Sequence, residues 1–182
     1  QGTHLVGIDI SKFQGDEIQT LHSQKDSLSF VFCKATGGKT YVDPKFKTNW
    51  QMIEENGFIR GAYHFYYTRD DPIDQANHFV QTVGIWGKND LPPVVDFEES
   101  GIDTQTSIEV MQKNLLEFLE QIENITSRRP MRYTDPYVGK RYLNSQQLAK
   151  YPLCLAVYQI QDQPKIPSAW AGWAFWQKSE CD

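Results

Sequence analysis

Short apolar runs alternate along this chain with stretches in which apolar residues recur every three or four positions. The short runs are rich in β-branched and aromatic residues and predict strands, whereas the helically spaced stretches predict amphipathic helices. The predicted strands cover residues 5–10, 29–36, 58–67, 130–134, 153–158 and 173–177, together with the run that ends at Glu98. This alternation predicts a largely parallel sheet with helices packed outside it.

Turn and cap residues delimit the predicted helices. The helices are expected at residues 16–22, from Asp43-Pro44 to Asn56-Gly57, from Asp71-Pro72 to Gly84, and from Thr104 to Asn124, with a short helix or turn at 137–143. Helices become sparse after residue 125, so a shortened barrel fits better than a complete (β/α)₈ barrel. No repeat, linker or low-complexity segment interrupts the pattern, and residues 1–182 are predicted to form a single domain.

The run that ends at Glu98 carries acids where a buried strand normally has none. Side chains at i and i+2 of a strand point the same way, so Asp96 and Glu98 share one face. Their attachment points lie about 6–7 Å apart, within reach of one substrate group. Two like charges in a cleft raise one of the two carboxyl pKa values, which suits a general acid. The alternative interpretation is a solvated loop acid followed by a helix N-cap.

The predicted barrel favours the functional interpretation, because reactive groups of such barrels collect where the strands end. Polar or aromatic side chains stand at or near these ends at Asp9, Lys34, Tyr63, Asp96, Glu98, Tyr133, Tyr158 and Gln177. Carboxylates, tyrosines and a lysine, with no nucleophilic Ser or Cys beside a base, favour glycoside chemistry. Gly37-Gly38 does not match a phosphate-binding loop, so phosphoryl transfer is disfavoured.

Composition narrows the function classes further. The net charge of −5 argues against nucleic acid and anionic membranes as partners, and no apolar run is long enough to span a bilayer. Cys33 and Cys154 lie in apolar runs and are expected to be small buried hydrophobes. The sequence has no C-x-x-C and no H-E-x-x-H motif, so we expect no metal site and no other cofactor. Aromatic residues make up 13% of the chain and can supply stacking surfaces for sugar rings as well as core packing.

A set of short motifs, in order along nearly the whole chain, resembles glycoside hydrolase family 25, the Chalaropsis-type lysozymes. The motifs are Gly7-Ile8-Asp9-Ile10-Ser11, Lys34-Ala35-Thr36, Gly61-Ala62-Tyr63-His64-Phe65, Gln75-Ala76, Asp96-Phe97-Glu98, Tyr133-Thr134 and Phe175-Trp176-Gln177. The resemblance implies a flattened (β/α)₅β₃ barrel that cleaves the β-1,4 bond after N-acetylmuramic acid in peptidoglycan. It further implies a monomer acting outside the cytoplasm at the bacterial cell wall, as in phage endolysins and secreted wall hydrolases.

The resemblance also implies roles for the candidate residues. Glu98 matches the general acid, and Asp96 matches the partner that stabilises an oxazolinium formed by the substrate's own N-acetyl group. Asp9 resembles a third acid of the cleft. The positions expected to contact the glycan are Lys34, Tyr63, Tyr133, Tyr158 and Gln177. His64 is expected to pack or hydrogen-bond inside the fold rather than act as a base.

Several positions depart from the family pattern. Gly37 stands where Glu is usual, and Cys154 stands where Trp is frequent. The family usually continues to a late cleft Asp, whereas this sequence ends at Asp182, so a truncated or divergent end and a wall-binding module beyond it are expected. Two other functions stay open at this point: an N-acetylglucosaminidase or chitin-cleaving hydrolase, and a non-catalytic glycan-binding barrel.

Overall fold

A computed structural model describes the backbone of residues 7–10, 30–156 and 175–177 and the side chains of residues 30–154. The strands are β1 (Gly7–Ile10), β2 (Phe30–Gly37), β3 (Tyr41–Val42), β4 (Ile59–Phe65), β5 (Val94–Asp96), β6 (Met131–Thr134), β7 (Leu153–Ala156) and β8 (Phe175–Gln177). The helices are α1 (Phe46–Glu55), α2 (Pro72–Val83), α3 (Ile108–Thr126) and α4 (Pro136–Tyr142), with a 3₁₀ turn at Glu99–Gly101. The helix predicted at residues 16–22 lies outside the described residues.

The strands form one sheet in the order β1-β2-β4-β5-β6-β7-β8, and all of these neighbours are parallel. The short strand β3 is antiparallel to β2 and was not predicted. The fold is thus the mixed α/β arrangement expected from the sequence, and β5 is the fourth strand along the parallel order. Within the described ranges no pairing joins β8 to β1, so the described sheet is open rather than a closed barrel.

Helix α2 begins and ends where its cap residues predict. The Asp71 carboxylate accepts hydrogen bonds from the backbone N–H groups of Ile73 and Asp74, and Pro72 occupies the first turn. At the other end, Gly84 has a φ of 78°, a conformation that glycine adopts without a Cβ penalty. The sequence therefore specifies both ends of this helix locally.

Helix α3 begins later than predicted. The helix was predicted to start at Thr104, but the Ser107 side chain caps it by accepting from the N–H of Val110. The residues before it form a turn on Asp103, whose carboxylate accepts from Gln105 N–H at 3.1 Å. The apolar stripe of α3 was predicted to begin at Ile108, but Ile108 is 36% exposed. The buried residues of the stripe are Met111, Leu115, Phe118, Leu119 and Ile122.

The main core lies between the sheet and helices α2 and α3. His64 of β4 faces these helices, with its ring centroid 5.6 Å from that of Phe79 and 5.2 Å from that of Phe118. Val95 of β5 is in register with His64 and is also fully buried. Because side chains alternate along a strand, Asp96 must project from the opposite face of the sheet, away from α2 and α3.

Candidate active site

Strand register places four of the predicted site residues on one face of the sheet. Asp96 pairs with Tyr133 of the next strand, and Lys34 of β2 pairs with Tyr63 of β4. Tyr63 in turn pairs with Val94, two residues before Asp96. Register partners on parallel strands project from the same side of the sheet, as do residues two apart on one strand. Lys34, Tyr63, Asp96 and Tyr133 therefore share a face.

Glu98 follows β5 and stays on the same face as Asp96. The strand ends at Asp96 rather than at Glu98 as predicted, but the Glu98 backbone remains extended, with φ −126° and ψ 161°. Phe97 between them is 1% exposed and stacks on Tyr66 with a centroid distance of 5.7 Å. Alternation thus directs the two acids away from the core, and Asp96 is buried while Glu98 is half-buried.

Strand β6 holds this acidic segment in place. The Phe97 N–H donates to the Tyr133 carbonyl at 2.9 Å, and the Thr134 hydroxyl donates to the Phe97 carbonyl at 2.7 Å. These bonds continue the β5–β6 pairing past the end of β5. The Phe97 backbone, which lies between Asp96 and Glu98, is consequently fixed through both its N–H and its carbonyl group.

The Lys34 ammonium lies against aromatic rings on the same face. Its Nζ is 4.9 Å from the ring centroid of Phe65 and 5.5 Å from that of Tyr41, both within the range of cation–π attraction. Phe65 is in register with Asp96. A cation on β2 and a buried carboxylate on β5 therefore lie on the same face of the sheet, with strand β4 between them.

Cys154 of β7 is in register with Tyr133, and its thiol lies close enough to Asp96 for the carboxylate charge to affect the pKa of the thiol. Burial, with a smaller contribution from the Asp96 negative charge, raises the pKa of the Cys154 thiol to about 12. The thiol stays protonated at neutral pH and is not a nucleophile. The prediction that Cys33 and Cys154 are buried is confirmed.

His64 plays a structural role, as predicted. It is fully buried, and desolvation lowers its pKa to about 3 despite a hydrogen bond from its ring to Gln75. Its Nδ1 lies 2.7 Å from the Thr36 hydroxyl. A neutral imidazole enclosed on the helix side of β4 cannot serve as the base of a site on the other face.

The other predicted site residues are only partly covered by the described structure. The Asp9 Cα is in register with Phe32, two residues before Lys34 in β2, and the Gln177 Cα is in register with Ala156 of β7. Both belong to strands of the same parallel sheet. Their side chains, all of Tyr158 and the C-terminal Asp182 lie outside the described residues.

Two aromatic residues on the site face were missed by the sequence prediction. Phe65 and Tyr67 follow Tyr63 at two-residue intervals, their ring centroids are 5.2 Å apart, and the Arg69 guanidinium lies 5.0 Å from the centroid of Tyr67. The alternation Tyr63, Phe65, Tyr67 was the signal that could have identified them. They extend the site from the sheet into the loop that follows β4.

The part of the chain that the structure describes contains neither a metal-binding cluster nor a membrane-spanning helix. No group of three or more His, Cys, Asp or Glu side chains there could hold a metal ion. No helix there is long and apolar enough to cross a membrane.

Comparison with known proteins identifies the class to which this fold and acidic face belong. The model of the glycosyl hydrolases family 25 matches residues 8–181. The structure of a bacterial lysozyme from Streptomyces coelicolor superposes with a TM-score of 0.86 at 30% sequence identity, covering 97% of this chain and 85% of that one. The chain belongs to glycosyl hydrolases family 25.

Two relatives are longer than the segment that this chain matches. The YegX protein of Escherichia coli strain K12 is 34% identical over 180 residues, covering 97% of this chain and 63% of YegX. Lysozyme M1 of Streptomyces globisporus is 30% identical over 183 residues, covering 96% of this chain and 62% of that lysozyme. The chain therefore spans less than two thirds of the length of these relatives.

Proposed function

We propose that this chain is a peptidoglycan hydrolase that cleaves the β-1,4 bond between N-acetylmuramic acid and N-acetylglucosamine. The observation that carries the proposal is the common face of Asp96 and Glu98 at the carboxyl end of β5, in a chain of family 25. Relatives named lysozyme and N,O-diacetylmuramidase support the same bond as the target. The proposal concerns the activity of the protein that contains this chain.

Glu98 is the proposed general acid and base. Its side chain is half-buried, which leaves it accessible to a glycan while limiting competition from bulk water. In the first step it donates a proton to the leaving glycosidic oxygen, and in the second it accepts a proton from the attacking water. Both transfers need the carboxyl group to face the cleft, as the extended backbone at Glu98 allows.

Asp96 is the proposed partner that stabilises positive charge. The carbonyl oxygen of the substrate's own N-acetyl group attacks the anomeric carbon, the leaving oxygen takes the proton of Glu98, and a cationic oxazolinium results. Asp96 is 8% exposed, so its carboxylate acts in surroundings of lower dielectric, where its attraction for that cation is stronger than in water. Water then opens the oxazolinium, and the anomeric configuration is retained.

The remaining residues on this face supply the proposed glycan contacts. Asp9 is the third acid of the cleft, and the predicted contacts are Lys34, Tyr63, Tyr133, Tyr158 and Gln177. The rings of Phe65 and Tyr67 join this set, because they lie on the site face between Tyr63 and the loop after β4. Tyrosines suit a sugar substrate since each offers a stacking face and a hydroxyl group.

We further propose that the chain folds as a flattened (β/α)₅β₃ barrel and that residues 1–182 form one catalytic domain. The protein is proposed to be a monomer that acts on the wall from outside the cytoplasm. Peptidoglycan is the proposed partner, with no nucleic acid and no membrane insertion. The parallel order of seven strands and the likeness to the Streptomyces coelicolor lysozyme support this architecture.

The test is wall clearing combined with identification of the new reducing ends. Purified protein should lower the turbidity of bacterial cell walls and release ends that carry muramic acid. Glu98→Gln keeps the shape of the side chain but removes its transferable proton, so turnover should fall by about 10²–10⁴-fold with glycan binding largely retained. The matched control is Glu99→Gln, which changes the exposed neighbouring acid and should retain activity.

Each alternative function has its own outcome in this test. New glucosamine ends would identify an N-acetylglucosaminidase or a chitin-cleaving hydrolase. Wall binding without any loss of turbidity would identify a glycan-binding barrel. Near-normal turnover in Glu98→Gln would show that the acid is assigned to the wrong residue.

A further inference from the structure

We propose that Gln75 is a positioning residue for the acid Glu98, acting through the loop between β4 and α2 without touching the substrate. The inference rests on the proposed function for its catalytic consequence, but its structural part can be tested separately. Gln75 lies on α2 and is fully buried on the helix side of the sheet, whereas Glu98 lies on the site side. The connection between them is a chain of backbone and side-chain hydrogen bonds.

The Gln75 amide clamps the loop with all four of its hydrogen-bonding positions. Its Nε2 donates to the carbonyl oxygens of Tyr67 at 2.9 Å and Asp70 at 3.1 Å. Its Oε1 accepts from the Tyr67 N–H at 3.0 Å and lies 3.1 Å from Nε2 of His64. Both polar groups of the Tyr67 backbone thus bind one side chain, which fixes the path of the loop where it leaves β4.

The orientation of this amide follows from chemistry. Two of its partners are carbonyl oxygens, which only accept, so the nitrogen must face them and the oxygen must face His64 and the Tyr67 N–H. His64 Nε2 is consequently the donor, and its Nδ1 accepts from the Thr36 hydroxyl. The neutral imidazole fixes the orientation of the Gln75 amide. A flipped amide would place its NH₂ group against the N–H donors of His64 and Tyr67, and its oxygen against two carbonyl oxygens.

The clamped loop in turn holds the segment that follows Glu98. The Thr68 N–H donates to the Gly101 carbonyl at 3.0 Å, and the Thr68 hydroxyl accepts from the Asp103 N–H at 2.7 Å. Gly101 also donates its own N–H to the Glu98 carbonyl at 3.0 Å. Gln75, Thr68 and Gly101 therefore form a continuous path to the backbone of Glu98.

This path explains why a buried amide should affect turnover more than binding. The glycan contacts proposed above lie mainly on strands, which the sheet itself fixes, whereas Glu98 lies past the end of β5. A displacement of a reacting group by about 1 Å can lower a rate by 10²-fold. Loosening the loop should consequently lower kcat, with a smaller change in KM through Tyr67, whose backbone Gln75 holds.

Gln75→Met tests the clamp, because methionine keeps the length of the side chain and removes its hydrogen bonds. On soluble glycan fragments we expect kcat to fall by about 10–100-fold, with KM changed by less than about 3-fold. Gln121→Met is the matched control. Gln121 is a half-buried glutamine of α3 whose Nε2 donates to Asn77 Oδ1 at 2.9 Å, away from the loop, and its loss should leave kcat unchanged.

Thr68 gives a second, independent variant if Gln75→Met folds poorly. Thr68→Val removes the hydroxyl that accepts from Asp103 and should lower kcat through the same path, whereas Thr68→Ser keeps the hydroxyl and should restore it. If the two residues act in one path, the losses in the double variant Gln75→Met/Thr68→Val should be clearly less than additive. Full additivity, or a loss carried by KM alone, would overturn the proposal.

Amide hydrogen exchange decides the structural part without any activity. In Gln75→Met the amides of residues 98–103 should exchange at least about 10-fold faster than in the unsubstituted chain, and in Gln121→Met they should not. Unchanged exchange in Gln75→Met would refute the coupling even if the enzyme is active. If exchange is faster in Gln75→Met but the unsubstituted chain clears no walls, the coupling stands and the proposed hydrolase is refuted instead.

Discussion

An ideal Cβ placed on Gly101 would lie 2.2 Å from the carbonyl oxygen of Tyr66 and 3.2 Å from the ring of Phe65. The first distance is far below a van der Waals contact, and the atom it meets is backbone. The Tyr66 N–H also donates to the Asp96 carbonyl at 3.0 Å, so this part of the chain cannot move without disturbing β5. The three-residue turn after Glu98 can therefore approach the β4 loop only with glycine at position 101.

Gly101→Ala should consequently damage both stability and activity. Relieving the overlap requires the turn to move away from Tyr66, and overpacking of this kind costs about 1–3 kcal/mol in the free energy of unfolding. Turnover should fall further than that loss explains, since the displaced turn follows Glu98 directly and its Gly101 N–H binds the Glu98 carbonyl. Urea denaturation and initial rates well below the unfolding midpoint separate the two effects.

Gly37→Ala is the control for this prediction. Its Cβ would meet the Tyr41 ring at 3.5 Å and Phe65 Cβ at 3.6 Å, which are ordinary contacts. Its unfolding free energy should stay close to that of the unsubstituted chain. Equal stability of Gly101→Ala and Gly37→Ala would contradict the close approach at Gly101.

A second prediction concerns an ion-pair cluster around Arg60. The Arg60 Nε donates to Asp90 Oδ1 at 2.9 Å, and the two side chains are only 11% and 6% exposed. Asp90 Oδ2 also accepts from the Gly87 N–H at 2.6 Å. Asp90→Ala removes the buried carboxylate and leaves Arg60 with the largely exposed Glu54, whose Oε2 lies 3.0 Å from its Nη1, so it should cost about 3 kcal/mol in urea unfolding.

The exposed pair Lys113–Glu117 is the control for that measurement. Its atoms are 3.9 Å apart, with side-chain exposures of 74% and 43%, and such pairs contribute about 0–1 kcal/mol. Glu117→Ala should therefore change the unfolding free energy little. A similar loss in both variants would mean that burial does not set the strength of the Arg60 cluster.

The sequence predicts the parts of this protein that depend on local chemistry. The common face of Asp96 and Glu98 follows from alternation alone, and the ends of α2 follow from Asp71 and Gly84. The start of α3 was placed too early because three hydroxyl residues precede it, and only the turn on Asp103 selects Ser107. That turn is held by Thr68, whose hydroxyl accepts from the Asp103 N–H, so competing caps cannot be ranked without this long-range contact.

Long-range contacts explain what the sequence did not predict. Gln75 looks like an ordinary polar residue of an amphipathic helix, yet it is fully buried, because the backbone of Tyr67 and Asp70 provides its partners. Strand β3 is two residues long and exists only through pairing with β2. Neither feature leaves a periodic pattern, since both depend on residues distant in the chain.

A third prediction follows from His64 and concerns stability against pH. The pKa of His64 is lowered from 6.5 to about 3 because burial disfavours the charged ring. Between these values the unfolded chain binds a proton that the folded chain does not bind, so stability rises with pH across this window and is lost as pH falls below 6.5. The contribution is about 1.4 kcal/mol for each pH unit in the unfolding free energy.

His64→Gln isolates this contribution, because other groups that titrate in acid are the same in both proteins. As the pH is lowered from about 6.5 to 4, the free energy of unfolding measured by urea should fall less steeply for His64→Gln than for the unsubstituted chain. The variant should be less stable at pH 7, where the buried hydrogen bonds of His64 are lost. Identical slopes would show that His64 protonates in the folded protein.

The last prediction separates two mechanisms at Asp96. If the carboxylate stabilises an oxazolinium, Asp96→Asn should lower turnover by about 10²–10³-fold, since a neutral amide cannot balance the developing positive charge. Asp74→Asn, which changes an exposed acid of α2, is the matched control and should retain full activity. Loss in both variants would indicate a general effect of charge rather than a role of Asp96.

The substrate provides the decisive comparison, because the N-acetyl oxygen is the proposed nucleophile. Glycan whose muramic residues have lost the acetyl group offers no such oxygen and should be cleaved at least about 10²-fold more slowly. NMR of the first product should show the β-anomer, as expected for retention through two successive displacements. A covalent adduct on Asp96, trapped and found by mass spectrometry, would instead make Asp96 the nucleophile. An α-anomer as first product would exclude both, since a single displacement by water would then replace the oxazolinium step.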